Sequence, residues 1–234
     1  MKFAFLQEPP FCFTDAAGRV RGCDVELAQV ICGHLGLPFE PVEAEFVELL
    51  PGLAEGRWTM TTGLFVSDER KKLVDFTRPV WSLPDGLLVA SKNPRNLSGY
   101  RSLAADEGAT LGVIAGQVQG ETALANSVPP ERIRLFATQV EAAEAVAAGK
   151  VDAYASVAMA HRGYLSEHSM APLFVVGIPD MEQQPAAGAF ALAKADAGLR
   201  DRIDAILGDL LGSPWHREVM TLHGFTETDI QRVI

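Results

Sequence analysis

The sequence predicts an α/β protein of two lobes, each a mostly parallel sheet flanked by helices, joined by a two-stranded hinge. Strand-like and helix-like segments alternate along the chain, the pattern of parallel strands crossed by helices. Polar boundaries at Ser91-Lys92-Asn93-Pro94-Arg95-Asn96 and Gln183-Gln184-Pro185-Ala186-Ala187-Gly188 flank one central block. The junction Ala54-Glu55-Gly56-Arg57-Trp58 also echoes Ala147-Ala148-Gly149-Lys150-Val151, as two similarly built lobes would. Lobe I is therefore expected to hold residues 1–91 and 187–234, and lobe II residues 92–186.

The elements follow in order. Residues 2–6 read as the first strand and 15–19 as a turn. A helix is expected over 24–35, where Val25, Ala28, Ile31 and Leu35 recur at helical spacing and Gly36 stops it. Residues 39–42 read as strand. A short amphipathic helix with Phe46, Leu49, Leu50 and Leu53 on one face ends at Gly56, with Pro51 either early in it or kinking it. Further on, 110–114, 133–136 and 151–155 read as strands, and 119–126 and 140–148 as helices. The apolar runs 87–90 and 189–193 read as strands. Leu199, Ile203, Ile206, Leu207, Leu210 and Leu211 share one face of a last long helix, which Asp196 is placed to cap.

Composition narrows the function. With 234 residues, 48% hydrophobic and 21% charged, the chain has an ordinary globular profile, which excludes disordered and fibrous classes. Its net charge of −10 and the lack of any basic cluster beyond Arg70-Lys71-Lys72 argue against nucleic acid as a partner. No run of 18 apolar residues exists, and Met1-Lys2 leads straight into Phe3-Ala4-Phe5-Leu6 without room for a secretory signal, so a trimmed mature domain or a cytoplasmic protein is expected. Cys12, Cys23 and Cys32 match no metal spacing. They are expected as small core residues, with a Cys12 to Cys23 or Cys12 to Cys32 disulfide as the alternative.

No signature of a nucleotide, zinc or serine-nucleophile enzyme is present, and neither His161 with His168 nor His216 with His223 is spaced to share a metal. No cofactor is expected. Arg70 is the informative residue: it closes Gly63-Leu64-Phe65-Val66-Ser67-Asp68-Glu69-Arg70, and its planar fork suits a carboxylate. Glu8 and Phe11 follow the first strand, Phe46 opens the second helix, and Phe65 lies five residues before Arg70. Since ligands of open α/β sheets meet the loops at the strands' carboxyl ends, these residues suit a small zwitterion, its cation between aromatics and its anion on arginine. Gly112 to Thr122 sets a glycine turn between strand and helix, where Gln117 and Gln119 complete the candidate ligand contacts and helix-start N–H groups attract an anion.

Pro10-Phe11, Gly22-Cys23-Asp24-Val25-Glu26-Leu27-Ala28, residues 46–53, 63–70 and 74–79, the Gly112 to Gly116 turn, Gly149-Lys150-Val151-Asp152-Ala153 and Leu222-His223-Gly224-Phe225 together resemble the extracellular solute-binding proteins that serve ABC importers of polar amino acids. The resemblance implies the type II periplasmic-binding-protein fold, closure about the hinge over one ligand, a permease partner in the membrane, a monomer, and a periplasmic or extracellular location. It places Arg70 on the ligand's α-carboxylate and Phe46 as an aromatic wall. Where members that bind α-amino acids commonly carry a hydroxyl, this chain has Phe65. Where they carry an acid near the end of the 151–157 segment, it has Ser156-Val157. Glu8-Pro9-Pro10-Phe11 with Gly63, Phe65 and Arg70 is similar to the ectoine and hydroxyectoine binders of the family, so a compatible-solute-like zwitterion is expected ahead of an amino acid. The same scaffold also hosts cyclohexadienyl dehydratases and the ligand-sensing domains of receptors, which are the alternatives.

Overall fold

The computed structural model describes residues 1–234 and divides the chain into two compact units, Met1–Ser82 with Ala186–Ile234, and Leu83–Pro185. The chain passes between them twice.

The first unit opens with β1 (Lys2–Phe5), the short hairpin β2 (Phe13–Thr14) and β3 (Val20–Arg21), and α1 (Cys23–Leu35). Asp15 closes the hairpin turn, its N–H donating to the Arg19 carbonyl at 2.9 Å. Val25, Ala28 and Ile31 bury one face of α1, and Gly36 ends it at φ 67°, a left-handed conformation that glycine adopts without strain. β4 (Glu40–Glu43), a 3₁₀ turn at Phe46–Glu48 and α2 (Leu49–Ala54) follow. Pro51 is the third residue of α2, where its missing N–H costs the helix nothing. Then come β5 (Met60–Thr61), β6 (Leu64–Phe65), α3 (Asp68–Leu73), β7 (Val74–Phe76) and β8 (Trp81–Leu83).

The second unit holds β9 (Asp85–Ala90), α4 (Tyr100–Ala105), β10 (Leu111–Ile114), α5 (Gln119–Ala125), β11 (Ile133–Phe136), α6 (Gln139–Ala147), β12 (Ala153–Val157), α7 (Ala158–Glu167) and β13 (Leu173–Gly177). Back in the first unit, the chain finishes with β14 (Ala186–Ala189), β15 (Ala191–Ala193), α8 (Ala197–Leu210), α9 (Pro214–Leu222) and α10 (Glu227–Gln231).

Each unit carries a five-stranded sheet, β4-β1-β5-β15-β7 in the first and β11-β10-β12-β9-β13 in the second. Four strands of each share one direction, as a mostly parallel sheet should, and a single strand runs against both its neighbours: β15 between β5 and β7, and β9 between β12 and β13. Leu49, Leu53, Trp58 and Leu64 centre one core cluster in the first unit, and Leu87, Val89, Tyr100, Leu103, Leu111 and Val113 another in the second.

Three local expectations differ. The strand expected over 151–155 is β12, two residues later, because Asp152 turns its carboxylate to the Thr110 N–H and hydroxyl at 2.8 Å each and to Arg95 Nε at 2.6 Å, bending the chain before the ladder starts. The run 189–193 is two strands. Phe190 marks the break: its N–H donates to Thr77 Oγ1 at 3.2 Å, and pairing passes from β6 to β7 and β5. Asp196 stands at the start of α8 without a side-chain capping bond.

Candidate functional site

Arg70 owes its place to a cap. Ser67 is extended (φ −128°, ψ 158°) and its hydroxyl accepts the Arg70 N–H at 3.2 Å, starting α3 directly after the strand that carries Phe65. The side chain then folds back. Its Nη1 donates to the Phe65 carbonyl oxygen at 2.8 Å and its guanidinium carbon lies 5.4 Å from the centre of the Phe46 ring, within cation–π range. Arg70 is buried, 8% exposed, although a surface arginine is the ordinary case.

Three aromatic rings gather nearby in the same unit. Phe11 and Phe65 both touch Trp81, with centroids 5.1 and 5.3 Å from it and planes tilted by 40° and 73°. Phe225 also meets Phe11, edge-on at 6.2 Å. Sequence reasoning passed over Trp81. The available signal was an indole at the start of a strand three residues after Arg78, with two glycines elsewhere that no turn explains. Gly63 and Gly188 are those glycines: a Cβ on either would lie 2.7 Å or 2.2 Å from Trp81 ring atoms.

Gly63 also has its N–H committed, since it donates to Asp24 Oδ2 at 2.7 Å. Asp24, the first-turn acid of α1, is fully buried and takes the Thr62 hydroxyl on the same oxygen at 2.7 Å and Trp81 Nε1–H on the other at 3.2 Å. Burial raises its pKa, and these donors pull the other way. Glu8 is half-buried at the head of a tight loop in which its N–H donates to the Cys12 carbonyl at 2.8 Å. Cys12 Sγ lies 3.1 Å from Thr62 Oγ1, which ties that loop to the segment carrying Gly63. Glu8, Phe11, Phe46, Gly63, Phe65 and Arg70 thus come from three separate stretches of sequence and belong to one unit.

In the second unit the expected pair of glutamines separates. Gln117 follows Gly116 (φ 80°), its N–H closing the turn on the Ile114 carbonyl at 3.1 Å, and its side-chain oxygen lies 3.5 Å from Ser156 Oγ. Gln119 is 1% exposed, and its amide donates to Asp85 Oδ1 at 2.8 Å. Tyr100 OH donates to Asp85 Oδ2 at 2.9 Å, and burial pushes the Asp85 carboxyl up to about 6. The side chain of Gln119 is therefore engaged in the core. Correspondingly, α5 is only seven residues long and its first turn is built around that buried amide.

The cysteines are free and buried. No group of three His, Cys, Asp or Glu side chains is placed to hold a metal ion, and no helix is long and apolar enough to cross a membrane. His161 and His216 are fully buried, while His223 Nε2 meets Glu26 at 3.0 Å.

The fold is that of a known family. The model of bacterial extracellular solute-binding proteins, family 3, matches residues 1–220. The chain belongs to that family. Solute binding is its role, and the two-unit α/β architecture is the type II periplasmic-binding-protein fold. A probable amino-acid ABC transporter periplasmic-binding protein, y4tE of Sinorhizobium fredii, is 29% identical across 98% of this chain and 78% of its own length. An L-arginine-binding protein of Pseudomonas aeruginosa is 25% identical across 90% of this chain and 82% of its own. Among solved structures, EhuB in complex with hydroxyectoine superposes with a TM-score of 0.89 at 25% identity, covering 99% of this chain and 90% of that one. The expected α/β class, family membership and solute-binding role thus stand on independent comparisons.

Proposed function

We propose that this family 3 protein captures a small carboxylate-bearing zwitterion whose cation is delocalised or alkylated, a compatible solute such as ectoine ahead of a free α-amino acid. The observation that carries this reading is the seat of Arg70, its guanidinium held by the Phe65 carbonyl and lying against the Phe46 ring. A guanidinium so held offers a carboxylate a preset partner.

The cation is the discriminating part. An α-ammonium taken out of water needs about three hydrogen-bond acceptors, and burying it without them costs several kcal/mol. Phe65 and Phe11 offer faces instead of acceptors, and each is worth roughly 0.5–2 kcal/mol to a weakly hydrated cation. Glu8 supplies the one carboxylate we assign to that cation. Gly63 is assigned a backbone contact through its carbonyl, since its N–H is committed. In the second unit we keep Gln117 as the candidate ligand contact. The hydroxyectoine held by EhuB fits this chemistry, and the arginine of the Pseudomonas protein is the competing ligand type.

Binding without turnover, transfer of the solute to an ABC importer permease, action outside the cytoplasmic membrane, a monomeric state and no dealings with nucleic acid complete the reading. The amino-acid transport relative and the net charge of −10 support it. Calorimetry with ectoine, hydroxyectoine, betaine, L-arginine and the common amino acids is the test. Binding of one of the first three at least about tenfold tighter than any amino acid is expected. L-Arginine as the tightest ligand, no heat with any of them at millimolar concentration, or turnover of prephenate or arogenate would overturn it.

A further inference from the structure

The buried carboxylate of Asp24 touches no surface and no cation, yet it collects an unusual set of donors. Thr62 Oγ1 and Gly63 N–H reach Oδ2 at 2.7 Å each, and Trp81 Nε1–H reaches Oδ1 at 3.2 Å with Cys23 Sγ 3.7 Å away. An uncharged amide has one acceptor atom and two donor hydrogens, so it would set N–H against N–H for at least one of these partners. Only a carboxylate satisfies all of them at once.

Two of those donors bear on the aromatic rings assigned to the ligand. The Gly63 N–H fixes the backbone two residues before Phe65. The Trp81 indole lies against both Phe11 and Phe65, in a seat that Gly63 and Gly188 leave open because neither has a Cβ. A buried indole N–H seeks an acceptor, and the one it finds fixes the ring's rotation about its bond to the backbone.

We infer that Asp24 is a positioning residue for ligand specificity: its bond to Trp81 sets the angle of the indole, and the indole sets the pitch of Phe11 and Phe65. This inference rests on the proposed aromatic recognition of the cation, and deepens it by naming what holds the aromatic rings at their working angle. A buried acid with a merely structural role would support the fold without steering the rings.

A double-mutant cycle with hydroxyectoine and L-arginine as probes separates the two. Asp24→Asn in the wild-type background is expected to weaken the tighter probe about tenfold, one lost hydrogen bond's worth, because the amide must confront the indole N–H. In the Trp81→Phe protein the amide meets no N–H at that position, so the same change is expected to cost less than about twofold. An equal cost in both backgrounds overturns the inference.

The cycle is also read without ligand, from the ring proton shifts of isotope-labelled Phe65, so that wild-type protein binding neither probe sinks the ligand reading while leaving this one testable. Asp24→Asn should move those resonances when Trp81 is present and leave them in place in the Trp81→Phe protein. If Asp24→Asn does not fold, the crystal structure of Trp81→Phe decides: Phe11 and Phe65 rings at their wild-type angles, with probe affinity within about twofold of wild type where a probe binds, overturn the proposal.

Discussion

Arg70 and Phe65 are joined end to end: the guanidinium of one donates to the main-chain carbonyl of the other at 2.8 Å, across a single turn that Ser67 caps. The bond spans five residues and ties the fork that we propose binds the ligand's carboxylate to the strand that also presents an aromatic ring. Charge anchor and aromatic face move as one piece.

That coupling makes the arginine hard to replace. Arg70→Ala should weaken a carboxylate-bearing probe at least about tenfold, the scale of a charge-assisted bond. Arg70→Lys keeps the charge but has no planar fork with which to hold the Phe65 carbonyl and a carboxylate together, so it should recover only part of the loss. Titration calorimetry of both variants with hydroxyectoine is the check, and a lysine variant as tight as wild type would contradict the bidentate assignment.

The seat of Trp81 gives a second prediction. A Cβ at Gly188 would sit 2.2 Å from Cη2 and Cζ3 of the indole, inside any permitted contact. Gly188→Ala should therefore destabilise the fold by about 1–3 kcal/mol, the usual range for overpacking. In a Trp81→Leu background most of that cost should vanish, because the ring responsible is gone. Denaturant unfolding of the four proteins measures the coupling, and additive losses would show that the clash is relieved elsewhere.

How far the sequence could be read depended on what kind of signal each residue sends. α1 was legible because Val25, Ala28 and Ile31 repeat at helical spacing and Gly36 ends the run, and the structure buries all three. For Pro51 the missing N–H allowed two places, early in the helix or at a kink, and the structure has it early. The alanine-rich run 189–193 has no alternation to show that Phe190 breaks it, so the switch of partners was invisible. Asp152 looked like part of a strand because its three donor partners lie on segments far off in sequence. The site divides in the same way. Arg70 and the phenylalanines stood out by residue type and fall in one unit, whereas Gln119 was expected as a ligand contact and is buried on Asp85, since a polar residue's burial depends on a partner 34 residues away. Trp81 and Asp24 stayed hidden because an aspartate in a helix's first turn reads as ordinary surface charge.

The thiols yield a third prediction. Cys12, Cys23 and Cys32 are at most 1% exposed, and burial raises the pKa of each, with the nearby Asp24 charge pushing Cys12 and Cys23 up further. A thiol that stays protonated and out of reach is a poor nucleophile. The native protein should leave all three unreacted with a water-soluble disulfide reagent over minutes at pH 8, and release three equivalents once unfolded. Fast reaction of any one in the native state would place it at the surface, and fewer than three equivalents after unfolding without reductant would reveal a disulfide.

Buried titrating groups in both units set opposing pH dependences, which single substitutions can separate. Burial pushes Asp85 up to about 6 from its ordinary 3.8, so between those values the folded chain keeps a proton that the unfolded chain has released. Stability from this group therefore falls as pH rises through that window, by at most about 1.4 kcal/mol per pH unit. His161 and His216 run the other way. Burial holds both down to about 4 from 6.5, so in that interval the unfolded chain takes up protons that the fold refuses, and stability falls as pH drops. Asp85→Asn removes one slope without changing shape: its oxygen still accepts from Tyr100, and the Gln119 amide turns over to accept from the new N–H. The melting temperature of this variant should match wild type near pH 4 and exceed it by several degrees above pH 6.5, about 2–4 °C for each kcal/mol. His161→Gln keeps a donor for the Gly86 carbonyl, 3.1 Å from the present ring nitrogen, but cannot titrate. Whatever packing it loses at pH 7, its stability should decline less steeply than wild type between pH 6.5 and 4. Parallel wild-type and variant curves across that interval, in either experiment, would mean that the substituted group is not the one that titrates.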